Sequence, residues 1–587
     1  MTRLHLLLVF VALVLSVPAS FAQQTMVPSL KLQRYEPESE TTMTSASRQR
    51  FAVCTDPTAT LTLNGKGIRV YSSGAAVGLL NLSIGENLFT FTATTGKKDT
   101  LRSSFLIVRS QPLATTPRDT LAIDSVMMEP SADLWLRAGD ILKVQMKGTP
   151  GSVVTFLDSI PMRELPLSEA DSLGGMYQGV YCIPAGKVMK AERVRFRLTD
   201  ARGRSVEAMS RGSITILDAV TPLVGRTRRD RPYLNFGLGE DRLGGAKMSF
   251  LVSGVKLALT GKSGNQYRVG LADGVEAWIP EDMVDLQPQG TYPPFSLTGS
   301  WTVAGDEKND VVAIELGERL PYASFQETGR IIVDVYGAVS NSNWITQHAT
   351  AREVKNVSYA QIAKDIFRVT IELHHRQIWG YDLAYRGTSL VITIRRQPER
   401  LKIGSLAFAL DAGHGGSNEG AIGSTGAKEK DINLATVLHL KQMLERKGAT
   451  VFLTRSDDSF TPNSERLKRV LASGANLLIS IHSNSIGATS DPEAVKGVST
   501  YYKHLCYRPL SLFILNEVLK AGLTPFGNVG SFNFMLNSPT ELPNALVELA
   551  FMSNPDDEMK LLDDEFRQEL ASRILQGIED FLENCEE

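Results

Sequence analysis

Cysteine is scarce in this chain: four in 587 residues, at Cys54, Cys182, Cys506 and Cys585, with no Cys-x-x-Cys pair. Such scatter indicates neither the disulfide framework of a small secreted scaffold nor a thiolate metal knuckle. An excess of either charge is also missing. Lys+Arg 62 against Asp+Glu 64 leave a net charge of -2, so no global field draws the chain onto nucleic acid. The helical metalloprotease signature His-Glu-x-x-His does not occur. Beyond the first residues there is no apolar run of the ~20 residues that a membrane span needs. What remains is an ordinary globular composition, 43% apolar and 21% charged, in a chain too long for one core.

The N-terminus reads as a signal peptide over residues 1–22. Arg3 gives a positive start, Leu6 to Leu15 an unbroken apolar stretch, and Ser20-Phe21-Ala22 a small-x-small cleavage site. The stretch is too short to span a bilayer, and Pro18 stops it from extending further. An exported protein, periplasmic or held at the cell envelope, is expected.

Residues 23–115 and 116–220 alternate apolar and polar in the manner of half-buried strands. Gly85-Glu-Asn-Leu-Phe-Thr-Phe-Thr-Ala93 and Val194-Arg-Phe-Arg-Leu198 are examples. The first resembles small immunoglobulin-like sandwiches, and the second repeats the style. Residues 221–290 hold several short strands and resemble a Src-homology-3-like barrel. In it Trp278 either stacks on a ligand or completes a small core. After Tyr292-Pro-Pro, residues 296–398 carry further strands, such as Phe367-Arg-Val-Thr-Ile-Glu-Leu373. This segment resembles an AMIN-type domain.

From residue 402 strands alternate with helices, which signals an α/β domain around a mostly parallel sheet flanked by helices. Its polar residues sit where strands end: Asp411-Ala-Gly-His-Gly-Gly416, Ser480-Ile-His-Ser-Asn484, and Glu548 within Leu546-Val-Glu-Leu-Ala-Phe. The crevice outside the carboxyl ends of such strands is where ligands bind. His414 and His482, with Glu429 expected in the loop before a helix, offer two imidazole nitrogens and one carboxylate oxygen. That is the donor set of a catalytic zinc site, with a fourth position left for water. His439 and His504 lack such surroundings and are read as structural or exposed.

These motifs occur in order with Lys428-Glu-Lys-Asp-x-Asn-Leu434, Thr454-Arg455, Glu465-Arg466 and Val547-Glu-Leu-x-Phe-x-Ser-Asn-Pro555. Together they resemble the zinc-dependent N-acetylmuramoyl-L-alanine amidases over residues ~404 to 583. The resemblance implies that His414, Glu429 and His482 hold Zn2+ and that Glu548 is the catalytic carboxylate. Asn484, Arg455 and Arg466 are the expected substrate contacts. It implies peptidoglycan as the substrate and hydrolysis of the amide between N-acetylmuramic acid and L-alanine; no partner protein is identified. A wall-binding protein with an inactive domain and a zinc peptidase of other specificity are the alternatives. Two departures stand out. Ala412 replaces a proline common after the aspartate, and Phe526 to Leu536 lacks the arginine that such loops tend to carry. Twelve residues, Ser485 to Lys496, are too few for a helical plug across the cleft. An open site is therefore expected, with the catalytic fragment from ~400 self-sufficient on soluble substrates.

Overall fold

Period-two burial builds the upstream part of the chain. In Glu192–Thr199 the buried Val194, Phe196 and Leu198 alternate with exposed charged neighbours, which places one face on a core. The computed structural model describes residues 30–586 except 97, 98, 112 and 219, so the expected signal peptide lies outside the described residues. Residues 32–109 pair a three-stranded sheet with a five-stranded one over Phe51, Val53, Phe91 and Phe105. A second β unit, residues 123–216, closes on Val144, Phe156, Phe196 and Leu198.

The third and fourth β units are not separate bodies. Leu257, Val269 and Ile279 of the third share one continuous core with Trp301, Val333, Phe367 and Ile392 of the fourth. Within Val275–Pro280, Ala277 and Ile279 point into that core while Trp278 is half-buried on the opposite face. The reading in which Trp278 completes the core is thereby corrected: alternation gives that place to its neighbours.

The C-terminal unit comprises β1 (Ala407–Ala412), α1 (Glu429–Arg446), β2 (Thr450–Leu453), α2 (Asn463–Ala472), β3 (Leu477–Asn484) and β4 (Val498–Tyr501). It continues with α3 (Arg508–Val518), β5 (Pro525–Val529), β6 (Asn544–Phe551), α4 (Pro555–Leu562) and α5 (Asp564–Glu586). Its six strands lie in the order β2-β1-β3-β6-β4-β5. The first four are parallel, and β4 runs antiparallel to β6. The sheet is therefore mixed, with helices against it. Phe408, Leu410, Ile479 and Val547 of the strands meet Val437 and Leu440 of α1 and Ile574 and Phe581 of α5 in one core.

Two local expectations change. Glu429 opens α1 instead of lying in the loop before it, which adds an acidic group where a helix N-terminus favours one. The segment 525–529 is a strand, β5, paired in parallel with β4. No helix lies between β3 and β4.

Candidate metal centre

The site is built where β1, α1 and β3 end or begin. Just past β1 the chain turns through three consecutive positive-φ residues, His414 (63°), Gly415 (135°) and Gly416 (57°). A histidine held in the left-handed region is uncommon and marks a functional constraint. Two glycines make room for the converging side chains. A Cβ on Gly413 would fall 2.3 Å from the His482 ring, and one on Gly420 would fall 2.5 Å from Glu429 Oε2.

His414, Glu429 and His482 each bring one ligand atom into a group lying within 4.8 Å. His414 Nε2 and His482 Nδ1 each stand 3.1 Å from Glu429 Oε1. Ligand atoms at about 2.0–2.1 Å from a tetrahedral ion sit about 3.3 Å apart, so this spacing fits a shared cation. The outer contacts orient the donors. His414 Nδ1 lies 2.9 Å from Asn418 Oδ1, which orients the ring with Nε2 toward Glu429. Glu429 Oε2 accepts from the Ala421 amide at 2.8 Å, and Oε1 from Asn433 Nδ2 and the Ser483 amide, both at 3.1 Å. Burial alone would raise the Glu429 carboxyl. Its hydrogen bonds to His414 and His482 override this and hold it well below the usual carboxylate range. Burial disfavours a charged His482, but Glu429 outweighs it and the imidazole is shifted upward.

Glu548 sits opposite His482 in the β3–β6 register. Its Oε2 is buried without a hydrogen-bond partner, as is His482 Nε2. Unpartnered polar atoms in a cluster of donors mark a place made for something else. Burial pushes Glu548 up to about 7, the nearby histidines opposing this and Glu429 adding to it.

Two of the expected substrate contacts are corrected. Arg466, 2% exposed, bonds to Asp411 Oδ1 at 2.8 Å, to the Thr461 carbonyl at 2.8 Å and to the carbonyls of Ala412 and His414. Arg455, 4% exposed, donates to the carbonyls of Ala412, Gly413, Lys430 and Asp457. Both guanidinium groups face the back of the His414 loop and fasten it, leaving no donor arm for a substrate. Asn484 stays at the rim, half-buried, with Nδ2 3.3 Å from Tyr501 Oη. Asn418 and Asn433 were missed by the sequence reading. Their signal is a separation of four residues from His414 and from Glu429, which on α1 puts Asn433 above Glu429 on one face. His439 meets Asp564 at 3.1 Å and His504 meets the Ser538 carbonyl at 2.9 Å, so both are structural.

Residues 409–580 match the model of the N-acetylmuramoyl-L-alanine amidase family. The chain belongs to that family. It is 33% identical over 210 residues to the uncharacterized protein YqiI of Bacillus subtilis, covering 35% of this chain and 98% of that one. It is 31% identical over 193 residues to the probable cell wall amidase LytH of Staphylococcus aureus, covering 32% of this chain and 63% of LytH. Among solved structures it is similar to the catalytic domain of CwlV, an N-acetylmuramoyl-L-alanine amidase of Bacillus (Paenibacillus) polymyxa. That likeness has 34% identity, 30% coverage of this chain, 98% of that one and a TM-score of 0.29. The amidase match falls on the C-terminal unit, and the four β units lie outside it.

Proposed function

We propose that this chain is a zinc-dependent peptidoglycan hydrolase cutting the amide between the lactyl group of N-acetylmuramic acid and L-alanine of the stem peptide. The observation that carries this reading is the convergence of His414, Glu429 and His482 beside the unpartnered Oε2 of Glu548. Two imidazoles and a carboxylate suit zinc, and no fourth His, Cys, Asp or Glu joins the group among the described residues, so a fourth position would fall to water. When bound, such an ion supplies Lewis acidity, which polarises a carbonyl and acidifies water.

The chain's own residues do the rest. His414 and His482 would each offer one ring nitrogen, the first ring oriented by Asn418. Glu548 Oε2 receives a proton from the attacking water and delivers it to the departing L-alanine nitrogen, completing C–N cleavage with no net change at the carboxylate. Its raised pKa suits both directions of that transfer. A nearby cation lowers that value, so the acid limb of the activity profile falls below about 7, and turnover declines as pH drops through it. Wall recognition falls to the β units, the AMIN-like one foremost, in a protein exported to the periplasm or cell envelope.

The test is a pair of variants in the full chain. His482→Ala should lose stoichiometric zinc and activity together. Glu548→Gln should keep zinc while turnover of a soluble muropeptide drops about 10²–10⁴-fold. Full zinc in the first variant, or lost zinc in the second, overturns the assignment.

A further inference from the structure

The third β unit sends a hairpin away from its own core onto the amidase unit. Strands Tyr233–Asp241 and Gly244–Phe250 pair up to the turn, where Asp241 faces Gly244. The Leu243 amide donates to Asp241 Oδ1 at 2.6 Å and Gly244 takes φ 78°, so the turn is defined by its own residues. Phe236 and Leu238 along the hairpin are 58% and 45% exposed, so it does not fold to bury its own apolar side chains.

The hairpin lands on Asn533, whose Nδ2 donates to the Gly245 carbonyl at 2.8 Å across 288 residues of sequence. Asn533 Oδ1 in turn accepts from Lys503 Nζ at 3.1 Å. The residues flanking Asn533 are part of the site. The Phe532 ring stands 4.4 Å from Tyr501, and the Phe534 ring 5.5 Å from His482. The turn therefore rests on the wall of the metal centre, on the same loop whose sequence contains no arginine.

Other cations near the site are committed. Arg455 and Arg466 fasten the His414 loop, Lys430 bonds to Asp458 at 2.6 Å, and Lys503 is held by Asn533. Arg242, at the hairpin turn, is exposed and has no ion-pair partner among the described residues. A guanidinium with its fork free, on a turn docked against the wall of the site, is suited to one class of ligand, a planar anion.

We propose that Arg242 is a substrate-contacting residue, lent to the amidase cleft by the upstream β unit, and that it receives a free carboxylate of the stem peptide. The inference rests on the amidase reading above. It makes the cleft a composite of two units and places specificity for acidic stem peptides outside the family-matched residues.

The test uses the full chain and two soluble probes. One is an N-acetylmuramoyl tripeptide with free carboxylates, the other the same compound with each carboxylate converted to a carboxamide. Binding is measured by calorimetry in the Glu548→Gln background, with and without Arg242→Ala. Loss of one charge-assisted pair should weaken binding of the acid about 10- to 100-fold and leave the carboxamide unchanged. Arg242→Lys should restore part of the loss. In the active background Arg242→Ala should raise KM for the acid with little change in kcat. Unchanged binding of the acid, or an equal loss for both probes, overturns the role of Arg242. Absence of turnover of either probe by the unmodified chain overturns the amidase reading instead, while the binding comparison still decides on Arg242.

Discussion

At the scale of single residues, the site depends on groups that never meet a substrate. Arg466 joins the carboxylate of Asp411 to three carbonyls of the loops around β1, one of them that of His414 itself. Asp411 is fully buried and also accepts from Thr454 at 2.7 Å and Ser480 at 2.6 Å. Burial works against its ionisation, but Arg466, seconded by His482 and these hydroxyls, holds it below the usual aspartate range. A depressed pKa contributes stability above the unfolded value of about 3.9 and loses it as pH falls through the lower folded value, so the contribution is complete at neutral pH. Arg466→Ala should then cost about 3–5 kcal/mol, because it strands a buried charge. Arg466→Lys should rescue it poorly, since one ammonium cannot span four acceptors. Denaturant midpoints measure both, and a midpoint matching the unsubstituted protein would refute the role. The convergence of His414, Glu429 and His482 was legible in the sequence because motif order and strand ends point to one crevice. The duty of Arg455 and Arg466 was not, because a motif records that an arginine is present without recording where its five donors point.

At the scale of elements, strand and helix positions in the amidase unit follow their apolar periods, and deviations have local causes. β3 runs through Asn484, so His482 and Asn484 sit at its carboxyl end, as the sequence indicates. β5 escaped notice because Pro525-Phe-Gly-Asn-Val529 contains both a proline and a glycine, signals of a turn, yet as an edge strand it pairs on one side only. The turn after β4 carries a titratable group that sequence gave no reason to single out. Enclosure of His504 pushes its pKa down to about 4, Lys503 and Arg231 adding to this against the Ser538 carbonyl. The unfolded chain binds that proton near 6.5 and the native one does not until about 4. Stability should therefore decline as pH falls between those values, by about 1 kcal/mol per pH unit from this group, and no further below them. His504→Gln keeps a donor for Ser538 and should flatten that slope. Chemical denaturation at a series of pH values reads it, and an unchanged slope in the variant would assign the decline to other groups.

At the scale of the whole molecule, the division read from composition cuts through a core. Trp379 of the fourth β unit is 1% exposed, sits in the hydrophobic core of the amidase unit, and has its ring centroid 6.2 Å from that of Phe581. Around it the Tyr381 amide donates to the Thr540 carbonyl at 2.8 Å, Arg395 to the Ala475 carbonyl at 2.6 Å and Gln377 to the Cys506 carbonyl at 2.9 Å. Gly380 approaches so closely that a Cβ there would lie 2.1 Å from the Glu541 carbonyl. The first β unit docks as well, Tyr71 Oη donating to Glu493 and the Arg50 amide to the Ala488 carbonyl, both at 2.5 Å, on the segment between β3 and β4. None of these contacts could be read from a linear pattern, since each joins residues that are remote in the chain.

A fragment starting at ~400 retains His414, Glu429, His482 and Glu548, but it opens the Trp379 socket, unpairs the carbonyls of Thr540 and Ala475, and lacks Arg242. Removing a buried tryptophan alone costs about 3–5 kcal/mol. For a unit of this size that lowers the melting temperature by about 10 °C. The fragment 400–587 should thus lose activity at a clearly lower temperature than 221–587, which keeps the third and fourth β units with their shared core. Trp379→Ala in the full chain should reproduce most of that shift without shortening the chain. Residual activity after timed heating decides the matter. If the two fragments inactivate together and Trp379→Ala matches the unsubstituted chain, the amidase unit is autonomous and its contacts with the fourth β unit carry no stability.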